Sequence, residues 1–296
     1  MIWRAGRIEI QYDVGQAMPR QNAPPTWPQT DMKAMAIDPS KLPDDIQRAI
    51  AFLSRIPVPS RVFADADGQA ADAAHAYALA GIAIALPAVL LMALLTAFGA
   101  PPLLAAACTV ACLVVTTGAL HEDGLADTAD GFFGGRDREA RLAIMKDSSN
   151  GSYATLALVL SQAIRIAALA ALLASGLSAA VLGLLLAAAV SRTAMAWMWS
   201  ELEPARPGGV SAGAGRPSRE QVLLSAATAV AAGFFAVFAA PQLSAPAVFA
   251  AGAAAAVAYG FSRLSAAKIG GQTGDTLGAV QQLGEIAFLA VLATGL

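Results

Sequence analysis

Asp123, Asp127 and Asp130 stand at i, i+4 and i+7 in the string His121-Glu122-Asp123-Gly124-Leu125-Ala126-Asp127-Thr128-Ala129-Asp130-Gly131. On a helix these positions fall within about 60° of one another. Three carboxylates on one face repel unless a cation sits among them. An all-oxygen donor set suits Mg²⁺, which keeps several waters and also binds substrate phosphates. The expected chemistry is metal-assisted phosphoryl transfer, with the glycines from Gly131 through Gly134 and Gly135 ending the helix.

A second polar segment, Ile144-Met145-Lys146-Asp147-Ser148-Ser149-Asn150-Gly151-Ser152-Tyr153, offers Asp147 as a further metal ligand and Lys146 as a phosphate-binding cation. A third, Gly270-Gly271-Gln272-Thr273-Gly274-Asp275-Thr276-Leu277-Gly278, is glycine-rich backbone ahead of a helix. Such backbone can present N–H groups to phosphate. It lacks the Gly-Lys-Ser/Thr ending of a P-loop. Arg165, Arg192 and Glu285 lie inside apolar runs. A charge at mid-span costs about 2.5–3.5 kcal/mol on insertion scales, so these groups must face the protein interior or lie near a surface. Arg192 and Glu285 are close enough to the span ends to line a site there.

The elements that must hold these residues are membrane spans. The chain has 296 residues, 57% apolar and 14% charged. Soluble domains carry about a quarter charged residues. A net charge of -2 gives no basic field for nucleic acid. Apolar runs of about the 20 residues needed to cross a bilayer begin near Ala78, Pro101, Tyr153, Leu177, Gln221, Leu243 and Gly278. The expectation is an all-α, polytopic transmembrane helical bundle of about seven spans. Pro43-Asp44-Asp45 starts a short amphipathic surface helix ending at Ile56-Pro57. Residues 1–41, rich in Pro and polar groups, read as a disordered leader, with 42–296 as the membrane-embedded domain. His75 reads as an interfacial residue, Trp197 and Trp199 as an aromatic belt, and Cys108 and Cys112 as small packing residues within one span.

Lys and Arg cluster before residue 77 and in 121–152, 200–220 and 263–277, whereas the connections near 99, 176 and 241 have none. That alternation satisfies the positive-inside rule with every polar segment cytoplasmic and the C-terminus outside.

The acidic string, the Ile144–Tyr153 segment, the Gly270–Gly278 segment and Phe52-Leu53-Ser54-Arg55-Ile56-Pro57-Val58-Pro59 together resemble the cobalamin synthase family, the adenosylcobinamide-GDP ribazoletransferases. The resemblance runs from about Leu42 to the C-terminus with the motifs in order. It implies a Mg²⁺-dependent transferase of the bacterial inner membrane, acting late in cobalamin biosynthesis. Such an enzyme joins adenosylcobinamide-GDP to α-ribazole or its 5′-phosphate and releases GMP. Its product is adenosylcobalamin or the 5′-phosphate. Besides the lipid bilayer, other corrinoid-assembly enzymes are candidate partners.

On that reading Asp123, Asp127, Asp130 and Asp147 hold the metal, with Asp123 and Asp127 also counted as catalytic. His121 is the expected base, because imidazole titrates near neutrality. Arg136, Lys146, Arg192, Gly271, Gly274 and Asp275 contact the substrate. The family pattern has Asp-Ser-Arg-Ile-Gly where this chain has Asp147-Ser148-Ser149-Asn150-Gly151. Arg136, Arg138 and Arg141 are the candidates to replace that arginine.

Two other classes compete. CDP-alcohol phosphotransferases require Asp-Gly-x-x-Ala-Arg, and here Asp127 stands where the alanine belongs and Thr128 where the arginine belongs. A transporter would suit the intramembrane charges, but transporter sites sit near mid-bilayer in repeated halves, and this chain shows no repeat.

Overall fold

The computed structural model describes residues 39–63, 70–207 and 209–295. The leader expected before residue 39 lies outside the described residues. Pro39–Lys41 form a 3₁₀ turn that leads into the first helix.

Among the described residues the chain is helical, without strands. Its α-helices are α1 (Leu42–Leu53), α2 (Tyr77–Ala97), α3 (Pro102–Thr117), α4 (Leu120–Gly134), α5 (Arg138–Ile144), α6 (Ser152–Ser175), α7 (Leu177–Glu201), α8 (Val210–Gly213), α9 (Arg219–Ala239), α10 (Ser244–Ile269) and α11 (Gly274–Thr294). Ala and Leu, the strongest helix formers, dominate the long elements. At 1.5 Å per residue, 20 residues reach across the roughly 30 Å hydrocarbon layer. Six helices are long and apolar enough to cross a membrane: α6, α7, α9, α10, α11, and α2 with its preceding 3₁₀ turn.

The expected span near Pro101 differs in detail. α3 has 16 residues, and the chain then turns 89° into α4. Gly118 (φ +64°) and Ala119 (φ +58°) make the turn through two consecutive left-handed residues. For Ala119 that conformation costs about 1–2 kcal/mol. Gly118 also lies against the Arg55 side chain, and a Cβ there would sit 2.5 Å from Arg55 Nε. Counting α3 and α4 as one broken span gives seven crossings.

α7 and α11 form the centre. Each is 67% buried along its apolar window, against 22% for peripheral α9. α11 packs on α10, α4, α7 and α6, and α2 packs on α7 and α3. Small residues bring backbones close, as membrane helix packing requires. A Cβ on Gly81 of α2 would lie 2.5 Å from the Ala188 carbonyl oxygen of α7. Outward faces carry exposed Phe234, Phe235 and Phe238 on α9 and Val248 and Phe249 on α10. Exposed apolar side chains of this kind suit lipid.

Three expectations need correction. Gly131 does not end α4, which continues to Gly134. Its missing side chain instead admits Met145, whose Cγ would be 2.4 Å from a Cβ. Trp199 is not part of an aromatic belt: it is 1% exposed and stacks on Phe52 at 5.7 Å, fixing α1 against α7. His75 is buried rather than interfacial, with Nε2 3.4 Å from Asp45 Oδ2.

The polar segments gather at one end of the bundle. Arg138 Nε donates to the Ile269 carbonyl at 2.9 Å, and its Nη2 donates to that of Ala205. Arg141 Nη1 donates to the Lys268 carbonyl at 3.0 Å, and Lys268 Nζ to that of Phe132 at 3.1 Å. Each of these cations meets the carbonyl end of a helix, α10 or α4, where the macrodipole is negative.

Candidate active site

α4 and α11 meet where both can spare side chains. A Cβ on Gly124 would lie 2.6 Å from the Asp275 carbonyl oxygen, and one on Gly278 would lie 3.3 Å from His121 Cα. These glycines let the acidic face of α4 lie beside the N-terminus of α11. There Thr273 caps α11, its Oγ1 accepting from Thr276 N at 3.2 Å.

Asp127 feels the negative charges of Asp123, Asp275 and Asp130 and the positive charge of Arg206. The expected three-aspartate face therefore exists, and Asp275 joins it from the other helix. Asp123 is exposed and Asp127 half-buried. Asp130 is engaged differently. Its Oδ2 accepts from Gly151 N at 2.5 Å and its Oδ1 from Ala154 N at 3.0 Å. It caps the start of α6, and Gly151 is needed because a Cβ would sit 2.7 Å from Asp130 Oδ1.

Among the described residues, no three His, Cys, Asp or Glu side chains converge closely enough to hold a metal ion unaided. The four-ligand set of Asp123, Asp127, Asp130 and Asp147 is thus not assembled. Asp147 is exposed, and Ser149 N donates to its Oδ1 at 3.0 Å. That bond, with a further one from the Ser149 side chain, holds its carboxyl below the usual range. What remains fits Mg²⁺, which needs only one or two carboxylates besides water and substrate phosphate. Asp123 and Asp127 are one turn apart on α4, and among the described residues neither carboxylate accepts a hydrogen bond or forms an ion pair.

His121 does not share the aspartates' face. Two residues from Asp123, it is about 200° away around the helix. Its ring is 1% exposed, faces the charges of Arg192, Glu285 and Arg165, and has neither nitrogen hydrogen-bonded. Arg192 is likewise withdrawn from any substrate, with Nη1 3.0 Å from Glu285 Oε2. Lys146 and Arg136 are exposed. Gly271 serves packing, since a Cβ would lie 2.2 Å from the Glu203 carbonyl oxygen, whereas Gly274 faces open space.

Behind the acidic face lies a buried ion network that sequence reading found only in part. Arg165 donates to Glu122 Oε1 and Glu285 Oε1, each at 2.8 Å. Gln282 donates to Glu122 Oε1 at 3.1 Å and Gln281 to Glu285 Oε2 at 2.8 Å. With Arg192, two positive and two negative charges tie α4, α6, α7 and α11. Only such pairing makes buried charge tolerable. Glu122 was visible beside a span, yet nothing local names its partner 43 residues away. Arg206 was missed as well: it lies between α7 and α9 in sequence, and only the fold sets its Nη2 3.5 Å from Asp275 Oδ2.

Fold and site define a multi-pass helical membrane protein with a carboxylate-lined site at its polar end. The chain belongs to the cobalamin-5-phosphate synthase family, whose model matches residues 45–293. It is 49% identical over 252 residues to an adenosylcobinamide-GDP ribazoletransferase of Sinorhizobium sp, covering 84% of this chain and 96% of that one. The enzyme of the same name from Rhizobium meliloti (strain 1021) is 47% identical over 259 residues, 86% of this chain and 98% of its own. That from Brucella anthropi is 41% identical over 256 residues, 85% and 97%. No solved structure gives a significant match.

Proposed function

We propose that this chain catalyses the reaction for which its relatives are named. It joins adenosylcobinamide-GDP to α-ribazole, or to its 5′-phosphate, and releases GMP. The observation that carries this reading is the Asp123–Asp127 pair set opposite Asp275 at the α11 N-terminus, with Arg206 alongside. It is a site built for phosphate and cation together.

A ribazole hydroxyl attacks the phosphorus attached to cobinamide. The new P–O bond forms as the bond to the GMP oxygen breaks, and GMP leaves with the electron pair. Such transfers need positioning and charge neutralisation more than a covalent nucleophile. Asp123 and Asp127 would hold Mg²⁺, which when bound supplies charge neutralisation at the phosphates. The hydroxyl proton goes to a carboxylate of this face, because the buried His121 ring lies on the opposite side. Exposed Gly274 leaves the first turn of α11 open to phosphate.

The same reading places the protein in the bacterial inner membrane with its polar end in the cytoplasm, supported by the Lys/Arg alternation. The polar end would then draw on soluble nucleotide donors. The decisive assay follows GMP from adenosylcobinamide-GDP plus α-ribazole, with and without Mg²⁺, on purified protein. Stoichiometric GMP and cobalamin, dependent on Mg²⁺, are expected. Turnover with a CDP donor, or solute uptake without GMP release, would overturn the assignment.

A further inference from the structure

Arg206 is the cation on the acidic face. Its Nη2 lies 3.5 Å from Asp275 Oδ2, its Nη1 donates to the Leu142 carbonyl at 3.4 Å, and its charge acts on Asp127. Five other cations of the chain are committed elsewhere. Arg138 and Arg141 hold the end of α10, Lys268 holds the end of α4, and Arg165 and Arg192 are sealed in the ion network.

The Gly-rich segment fixes where Arg206 stands. Ala205 N donates to the Gln272 carbonyl at 2.7 Å and Gln272 N to that of Glu203 at 2.9 Å. Gly271 allows that approach. Arg206, next in the chain, is thereby held beside the first turn of α11. Its side chain is 21% exposed and that of Asp275 26%, so both can be reached. A separation of 3.5 Å is longer than the roughly 2.7–2.9 Å of a tight charge-assisted bond. The pair is loose, and a guanidinium prefers the planar, two-point contact that a phosphate offers.

We propose that Arg206 binds the diphosphate of the guanosine nucleotide substrate, exchanging its loose contact with Asp275 for phosphate oxygens. This rests on the nucleotide-transfer reading above. A diphosphate approaching four aspartates meets net repulsion, and Arg206 supplies the fixed protein charge that offsets it.

The test compares wild type with Arg206→Gln and Arg206→Lys, purified in detergent. KM is measured separately for adenosylcobinamide-GDP and α-ribazole, and Ki for GMP. Losing a hydrogen bond to a charged group predicts a rise of about ten- to a hundred-fold in the nucleotide KM and the GMP Ki together. The α-ribazole KM is expected to stay unchanged, and Arg206→Lys to recover part of the loss. An equal rise in both KM values, or a fall in kcat alone, would make Arg206 structural and end the proposal. If Arg206→Gln does not fold, the same split in Arg206→Lys decides. If wild type releases no GMP, the functional reading fails, and equilibrium dialysis of GDP against wild type and Arg206→Lys still judges Arg206: equal affinity refutes it.

Discussion

Gly124 of α4 touches the backbone of Asp275 of α11, where a Cβ would lie 2.6 Å from the carbonyl oxygen and 3.2 Å from Cα. Both obstacles are main chain and cannot swing aside. Glycine to alanine within a helix ordinarily stabilises by roughly 0.5–1 kcal/mol. Here Gly124→Ala should reverse that sign, lowering stability by about 1–3 kcal/mol through overpacking and parting Asp127 from Asp275. Thermal unfolding in detergent together with turnover checks this; a stabilised, fully active variant would contradict the packing.

Asp127→Asn should lower turnover by about a hundred-fold or more, the scale of removing one preorganised electrostatic group. The loss should be greatest at low Mg²⁺, with the unfolding midpoint little changed. Full turnover at low Mg²⁺ would remove Asp127 from the metal.

Asp130 gives the contrasting case. As the cap of α6 it holds Gly151 N and Ala154 N. Asp130→Ala should cost about 0.5–2 kcal/mol of stability, as capping losses do, and leave the Mg²⁺ concentration for half-maximal rate unchanged. A large shift in that concentration would return Asp130 to the ligand set.

Glu285 pairs with both Arg165 and Arg192. Removing one partner of a buried pair leaves uncompensated charge and costs about 3–5 kcal/mol. Glu285→Gln should therefore destabilise strongly, and Glu285→Gln with Arg165→Met less than the two single changes added. A strictly additive double-mutant cycle would show the network is not coupled.

Asp147 stands apart. Its carboxyl is held below the usual range by the Ser149 N–H. A depressed folded value contributes stability above the ordinary carboxylate pKa and loses it as pH falls through the lower folded value. The stability difference between wild type and Asp147→Asn should be full at neutral pH, begin to fall near the ordinary carboxylate pKa of about 4, and vanish only below the depressed folded value. Turnover and Mg²⁺ dependence near neutrality should not change. A shifted Mg²⁺ dependence would reinstate Asp147 as a ligand.

The sequence alone determined the bundle, because span length, apolar content and helix propensity are local properties. Local periodicity also put Asp123, Asp127 and Asp130 on one face, and α1, seen as a short amphipathic helix, spans Leu42–Leu53. Only the tertiary structure separated the roles of those aspartates, since Asp130 finds its partners more than 20 residues away at the start of α6. It also turned His121 inward, joined Glu122 to Arg165, and brought Asp275 and Arg206 to the acidic face. The physical reason is that a helix fixes angles around its own axis. Which neighbour stands at each angle depends on close approaches at Gly124, Gly271 and Gly278, and these exist only once α4, α11 and the Glu203–Ala205 segment have packed.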